Sequence, residues 1–167
     1  YGFKSDGIFQ NMDEVKAYTN AEGNMIMPNA EPGDVRFVDI DGDGVIGDGD
    51  KTYIGKGIPD WVFGLNLGFD WKGLDFSILL QGQLGAQAYN VSRRIDLGAV
   101  NLPKYMLNRW TGEGTTNKYP KFEVGDATNY VVSDVWVEDA SFLRARNVQL
   151  GYTLPQNITK KFFVQRL

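Results

Sequence analysis

The chain has 167 residues, with 17 basic and 21 acidic side chains and a net charge of −4. It contains no cysteine and no histidine, which excludes disulfides, thiolate chemistry, histidine-bearing triads and zinc sites of the Cys/His kind. The acidic balance, without a basic stripe, argues against a nucleic-acid partner, and no apolar run approaches the ~18 residues of a membrane helix. Glycine is abundant, at 20 residues, and aromatics make up 13%, as in a turn-rich β protein.

In chain order, Asn11-Met12-Asp13-Glu14 reads as an N-cap with Glu at N3, opening a short helix through Tyr18. Residues 20–32 are polar and turn-rich, and residues 33–38 fit a short strand. The acidic loop at residues 39–50 follows. Asp39-x-Asp41-x-Asp43-Gly44-x-Ile46-x-x-x-Asp50 has the spacing of an EF-hand loop, with Asp in place of the final Glu. Clustered carboxylates offer the hard oxygens Ca²⁺ prefers, Gly44 permits the sharp turn between them, and Val45 can add its carbonyl. The expected site is a structural Ca²⁺ held by Asp39, Asp41, Asp43, Val45 and Asp50, pinning the loop. The alternative is a Gly/Asp-rich hairpin loop that never holds metal. One copy, with no amphipathic helix before Pro59, is not a paired EF-hand protein. Residues 51–56 do not make a phosphate loop, because Asp50 stands where the first glycine is needed and Gly57 where Ser or Thr is needed.

The segment Trp61-Val62-Phe63-Gly64-Leu65-Asn66-Leu67-Gly68-Phe69-Asp70-Trp71 places a large apolar residue at every odd position. After Lys72-Gly73 the alternation resumes through Leu74-Asp75-Phe76-Ser77-Ile78-Leu79-Leu80-Gln81-Gly82-Gln83-Leu84. Successive side chains on a strand point to opposite faces, so this hairpin has one greasy face and one small or polar face. Trp61 and Trp71 bound the first strand. At ~3.3 Å per residue and a tilt of ~40°, ten residues span about 25 Å of depth, the apolar band of an outer-membrane barrel. A half-buried soluble sheet alternates in the same way.

Residues 87–140 read as a long connection with one helix at 101–110, capped by Asn101 and started by Pro103. Within it Trp110, Tyr119, Tyr130 and Trp136 are candidates to stack on sugar rings or to lie under a partner; the other reading is that they pack their own loop. The pair Glu138-Asp139 could suggest a glycosidase, but solvated loop charges explain it better, and no enzyme activity is expected. A further strand is expected from about Phe142 to Leu154. Strict alternation puts Arg144 and Arg146 on its apolar face, which would place that half above the membrane. Residues 155–157 form a turn, and another strand is expected to begin near Phe162. Short turns at 72–73 and 155–161 would be periplasmic, and the long segments extracellular.

Several stretches together resemble the SusC/RagA-type TonB-dependent outer-membrane transporters, in the C-terminal part of their β-barrel. They are Asp6-Gly7-Ile8-Phe9-Gln10-Asn11, Pro32-Gly33-Asp34-Val35-Arg36-Phe37, and Asp39-Ile40-Asp41-Gly42-Asp43-Gly44-Val45-Ile46. The likeness continues through Arg109-Trp110-Thr111, Lys118-Tyr119-Pro120, Glu138-Asp139-Ala140-Ser141-Phe142-Leu143-Arg144 and Leu150-Gly151-Tyr152-Thr153-Leu154-Pro155. It covers nearly the whole chain in a consistent order.

The resemblance implies a bacterial outer-membrane protein whose 22-stranded barrel is plugged by an N-terminal domain. It implies a SusD-like surface lipoprotein as lid and energy from TonB, through parts absent from this chain. The cargo it implies is a nutrient, glycan oligosaccharides first and peptides second.

The expected fold class is therefore all-β, a segment of a transmembrane antiparallel β-barrel in contact with membrane lipid. Its long extracellular loops carry short helices. Residues 1–58 would be an extracellular loop with the acidic site, 59–86 a transmembrane hairpin, 87–140 a second extracellular loop and 141–167 transmembrane strands. The alternative is a secreted, calcium-stabilised β-sandwich that binds carbohydrate. The chain starts at Tyr1-Gly2-Phe3 without Met or signal peptide, and reads as part of a longer polypeptide. The two long segments carry little regular apolar patterning, so neither a core of their own nor a stable isolated monomer is expected.

Overall fold

The computed structural model describes residues 1–92, 101–123 and 128–160. The strand expected from Phe162 lies outside them. The chain is all-β with short helical turns. Its elements are β1 (Gly2–Phe3), β2 (Ser5–Ile8), α1 (Met12–Ala17), β3 (Val35–Phe37), β4 (Lys51–Thr52), β5 (Trp61–Trp71), β6 (Leu74–Leu84), β7 (Gln87–Tyr89), β8 (Val137–Asp139), β9 (Phe142–Tyr152) and α2 (Gln156–Thr159). No described helix is long and apolar enough to cross a membrane. The chain divides into two compact units. One comprises residues 1–56 and 88–138, the other residues 57–87 and 139–167.

The second unit is a three-stranded antiparallel sheet in the order β5-β6-β9. β5 and β6 pair without interruption from Trp61↔Leu84 to Trp71↔Leu74. Their turn is two residues, with φ of 48° at Lys72 and 87° at Gly73, the doubly positive pair that matches strand twist. A side chain at position 73 would meet the Thr153 carbonyl at 2.8 Å, so glycine is required there on two counts. The phase carries across the pair. Phe69 and Phe76 pack as a tilted pair with ring centroids 5.6 Å apart, and the Phe63 ring lies over Gly82, its cross-strand partner.

β9 joins β6 with one irregularity. Leu79 pairs with Asn147 but Leu80 with Ala145, leaving Arg146 as the extra residue of a β-bulge. This corrects the facing expected from strict alternation. Beyond the bulge, Leu143 and Ala145 share the apolar face with Gly82 and Leu80, while Arg144 faces Gln81 on the polar side. Arg146 Nη1 donates to Gln81 Oε1 at 3.0 Å. No reason therefore remains to lift that half of the strand out of an apolar layer. The apolar face is open: Leu65 and Leu67 are each 49% exposed, Phe69 53% and Leu150 73%. Among the described residues no second sheet covers it, as a sandwich would require.

The first unit contradicts the expectation that the long segments lack a core. β1 pairs with β4, and β2 with β3 through a bulge between Ser5 and Gly7. Asn11 Oδ1 accepts the Glu14 N–H at 3.0 Å, and Glu14 Oε2 accepts the Gln10 N–H at 2.9 Å, fixing the start of α1. Phe9, Val15 and Ala30 form one apolar cluster; Met106, Tyr119, Tyr130 and Trp136 form another. The helix expected at 101–110 is a single 3-10 stretch, Lys104–Asn108, with Pro103 rather than Asn101 at its cap. Its purpose in packing is to drive Met106 into the aromatic cluster.

Segments distant in sequence are tied by buried polar contacts. Val35 N–H donates to Asn129 Oδ1 at 2.8 Å, and Asn129 Nδ2 donates to Asp34 Oδ1 at 2.8 Å. Lys121 Nζ lies 2.7 Å from Glu31 Oε2 and 3.3 Å from Asp34 Oδ1. Partial burial alone would lower the Lys121 pKa. The Glu31 hydrogen bond and the Asp34 charge outweigh it and hold the ammonium above the ordinary lysine range. Asn129→Ala leaves the Val35 N–H and the Asp34 carboxylate each short of a buried partner, at a cost of about 2–4 kcal/mol. Amide hydrogen exchange at Val35 in the whole protein is expected to accelerate accordingly, with amides of β6 unaffected.

Candidate functional site

Two features of the first unit were legible as candidate sites. In the acidic loop, the side chains of Asp39, Asp41 and Asp43 each bring a carboxylate oxygen to within 4.8 Å of the others. Backbone donors aim these groups. Asp39 accepts from Gly42 N at 2.7 Å and Gly44 N at 2.9 Å, Asp41 from Asp43 N at 3.1 Å, and Asp43 from Val45 N at 2.9 Å. Gly42 and Gly44 supply the positive φ values of 76° and 85° that wrap the loop. Asp41 rests against Gly49, where any side chain would collide with it. Three convergent carboxylates, with lone pairs left beyond these bonds, suit a hard cation.

Asp50 does different work. It is 1% exposed and lies outside the three-carboxylate group. Its Oδ1 accepts from Ile40 N at 2.6 Å and its Oδ2 from Gly47 N at 2.7 Å. Burial pushes its pKa up, but the donors at Gly47, Ile40 and Asp41 more than offset that and hold it below the ordinary aspartate value. Asp50 thus closes the base of the loop. Val45 is exposed, with its N–H bonded to Asp43.

Of the four aromatic candidates, Tyr119, Tyr130 and Trp136 are buried against one another. Tyr130 stacks on Trp136 with centroids 5.4 Å apart and planes 13° apart, and Tyr119 lies 6.3 Å from Trp136. Trp136 Nε1 donates to the Asn129 carbonyl at 3.2 Å. These rings are core and present no face to a ligand. Trp110 is half-buried; its Nε1 donates to Gln10 Oε1 at 3.2 Å and its ring covers Gly33. Packing of their own unit is the reading these geometries give. Glu138 and Asp139 each accept a hydrogen bond from a different neighbour. Glu138 accepts from Asn90 Nδ2 at 2.8 Å, and Asp139 caps Ser141 N at 2.8 Å.

Sequence reading missed two open grooves flanking β2. One, of about 340 Å³, is lined by Ile8, Gln10, Glu14, Arg36 and Asn117 among others. The second, of about 370 Å³, is lined by Asp6, Asn117, Lys118 and Asp134 with neighbours. Their polar groups are largely engaged: Arg36 pairs with Asp6, Asn117 Oδ1 accepts from Ile8 N, and Asp134 Oδ1 accepts from Ser5. The Asn117 contact joins segments 109 residues apart, a distance at which no local pattern shows.

Asp50→Asn removes a charged acceptor from two part-buried N–H donors and is expected to cost about 1–2 kcal/mol. Because the folded pKa is depressed, the Asp50 contribution is fully present above the ordinary aspartate pKa of about 3.9 and is lost as pH falls through the lower folded value. Protease susceptibility of residues 39–50, followed against pH in the wild type and in Asp50→Asn, checks both.

No protein-family profile matches the chain. Curated relatives do. TonB-dependent receptor P3 of Formosa agariphila is 27% identical over 99% of the chain, and TonB-dependent receptor P39 of the same organism is 30% identical over all of it. TonB-dependent receptor SusC of Bacteroides thetaiotaomicron is 31% identical over 79%. The chain spans only 16%, 20% and 13% of the lengths of these relatives.

Proposed function

Nearly all of the chain being similar to part of the TonB-dependent receptors, SusC among them, it belongs to that family, and we propose that it serves as barrel wall and extracellular vestibule of an outer-membrane nutrient importer. The observation that carries this is the open apolar face of β5, β6 and β9. Every large odd-numbered side chain of β5 stands on that face, from Trp61 at 71% exposed to Trp71 at 63%. In water such a face would drive association; against lipid it is the outer surface of a barrel. The opposite face carries Asn66, Asp70, Asp75, Ser77, Gln81, Gln83, Asn147 and Gln149, side chains suited to a wet lumen.

On this reading the first unit is extracellular. It offers docking surface to a SusD-like lipoprotein lid. Energy comes from TonB through regions beyond this chain, and the chain itself performs no catalysis. The cargo is a glycan oligosaccharide, with peptides second; the amide-rich lumen face supports hydroxyl-bearing cargo. The acidic loop holds a structural Ca²⁺ through Asp39, Asp41, Asp43 and the Val45 carbonyl. The cation neutralises three carboxylates that otherwise repel one another.

Two measurements address the membrane placement. The whole receptor is expected in the outer-membrane fraction, with oligosaccharide uptake lost when tonB is deleted; recovery as a soluble periplasmic protein would sink the proposal. Leu67→Arg is expected to destabilise the barrel by about 2–4 kcal/mol if near mid-bilayer, whereas Asn66→Ser changes little, read by urea unfolding in lipid vesicles. For the loop, Ca²⁺ is expected to protect residues 33–58 from protease in the wild type but not in Asp41→Ala. Equal cleavage with Ca²⁺ and with chelator in the wild type would refute the metal role.

A further inference from the structure

The polar face of the sheet is electrically uneven. Asp70 and Asp75 face each other next to the Lys72-Gly73 turn. At the other end of the same face stand Arg144 and Arg146, brought there by the bulge. Both arginines are exposed, and neither is paired with a carboxylate among the described residues. Each guanidinium is nevertheless held in place. Arg146 Nη1 is bonded to Gln81 Oε1 at 3.0 Å, and Arg144 lies over the Phe142 ring, 4.0 Å from its centroid. Among the described residues the contacts of these two groups are to a neutral amide and a π-face, which leave N–H donors of both guanidiniums without an anion there.

We propose that Arg144 and Arg146, with Gln81 and the Phe142 ring, form an anion-recognising subsite on the lumen face, selecting cargo that bears carboxylate or sulfate groups. The proposal rests on the importer reading above. The chemistry favours an acidic sugar over a bare ion. Guanidinium forks bind carboxylate and sulfate oxygens with charge-assisted hydrogen bonds. Gln83 and Gln149 on the same face add amides for hydroxyl groups, and an aromatic ring gives a sugar an apolar platform. Holding the guanidiniums in advance lowers the ordering cost of binding. The carboxylates at the far end of the face repel the same cargo, so the arginine end is the place it rests. Without the bulge, alternation would turn both arginines toward lipid and the subsite would not exist.

The test uses the whole receptor in detergent, with isomaltotetraose and its sulfated form as probes, two ligands differing only in their sulfate groups. The wild type is expected to bind the sulfated form at least about tenfold more tightly, the size of one charge-assisted hydrogen bond. In Arg144→Gln/Arg146→Gln the two affinities converge, while Arg144→Lys/Arg146→Lys keeps part of the preference. No preference in the wild type, including no binding of either probe, overturns the proposal, as does a preference that survives in the glutamine variant. A glutamine variant that melts lower without ligand and keeps the preference assigns the arginines to an internal ion pair, and equally overturns it. A receptor that imports cargo from the outer membrane without charge preference defeats this inference alone. A receptor absent from the outer membrane defeats the importer reading on which it stands.

Discussion

A strand that crosses hydrocarbon must keep its charged side chains and its backbone polar groups away from lipid at every residue. The rest of this structure depends on that constraint. In β5 and β6 it is met by simple alternation and a two-residue turn that preserves register through all eleven pairs. In β9 the sequence alone violates it, since Arg146 falls in phase with Val148 and Leu150. One extra residue at the bulge restores it, and the outer face of three strands becomes continuously apolar. The same residue that would have broken the wall becomes part of the lumen.

The first unit shows a second solution to the problem of long connections. Two segments, each poor in periodic apolar residues, each gather an apolar cluster of their own and are tied together by hydrogen bonds. Backbone groups that a loop leaves bare are satisfied by side chains from the other segment: Val35 N by Asn129, Ile8 N by Asn117, Ser5 N by Asp134. Each such bond joins residues more than 90 positions apart. Aromatic stacking around Trp136 then fills the interior. An internally tied unit of this kind keeps a more fixed surface than two independent loops would.

Much of this was legible in the residues, and what was hidden has identifiable causes. The hairpin at 61–84, its turn and the cap at Asn11 were readable because alternation, Lys-Gly and the Asn-x-x-Glu spacing are local signals. The three converging carboxylates were readable from their spacing around Gly44. The bulge was not, because neither Ala145, Arg146 nor Asn147 carries a signal for an extra residue. The hydrogen bonds that tie the two long segments were not, because pairings across about a hundred residues leave no periodicity. Of the two readings open for the aromatic candidates, packing of their own segment is the one that the cluster of Met106, Tyr119, Tyr130 and Trp136 matches. Asp50, expected as the last of the five ligands, was not legible as the acceptor of the backbone N–H groups of Ile40 and Gly47.

The central claim is that the odd-numbered face of β5 meets lipid. The chain has no native cysteine, so nitroxide labels can be attached at each position from 61 to 71 in the whole receptor, reconstituted in vesicles. Collision with oxygen, which partitions into lipid, is predicted to peak at 63, 65, 67 and 69. Collision with a water-soluble nickel chelate is predicted to be lowest at those same positions. Uniform chelate access along the strand, or both collision rates suppressed together at the odd positions as in a dry protein core, would contradict the account.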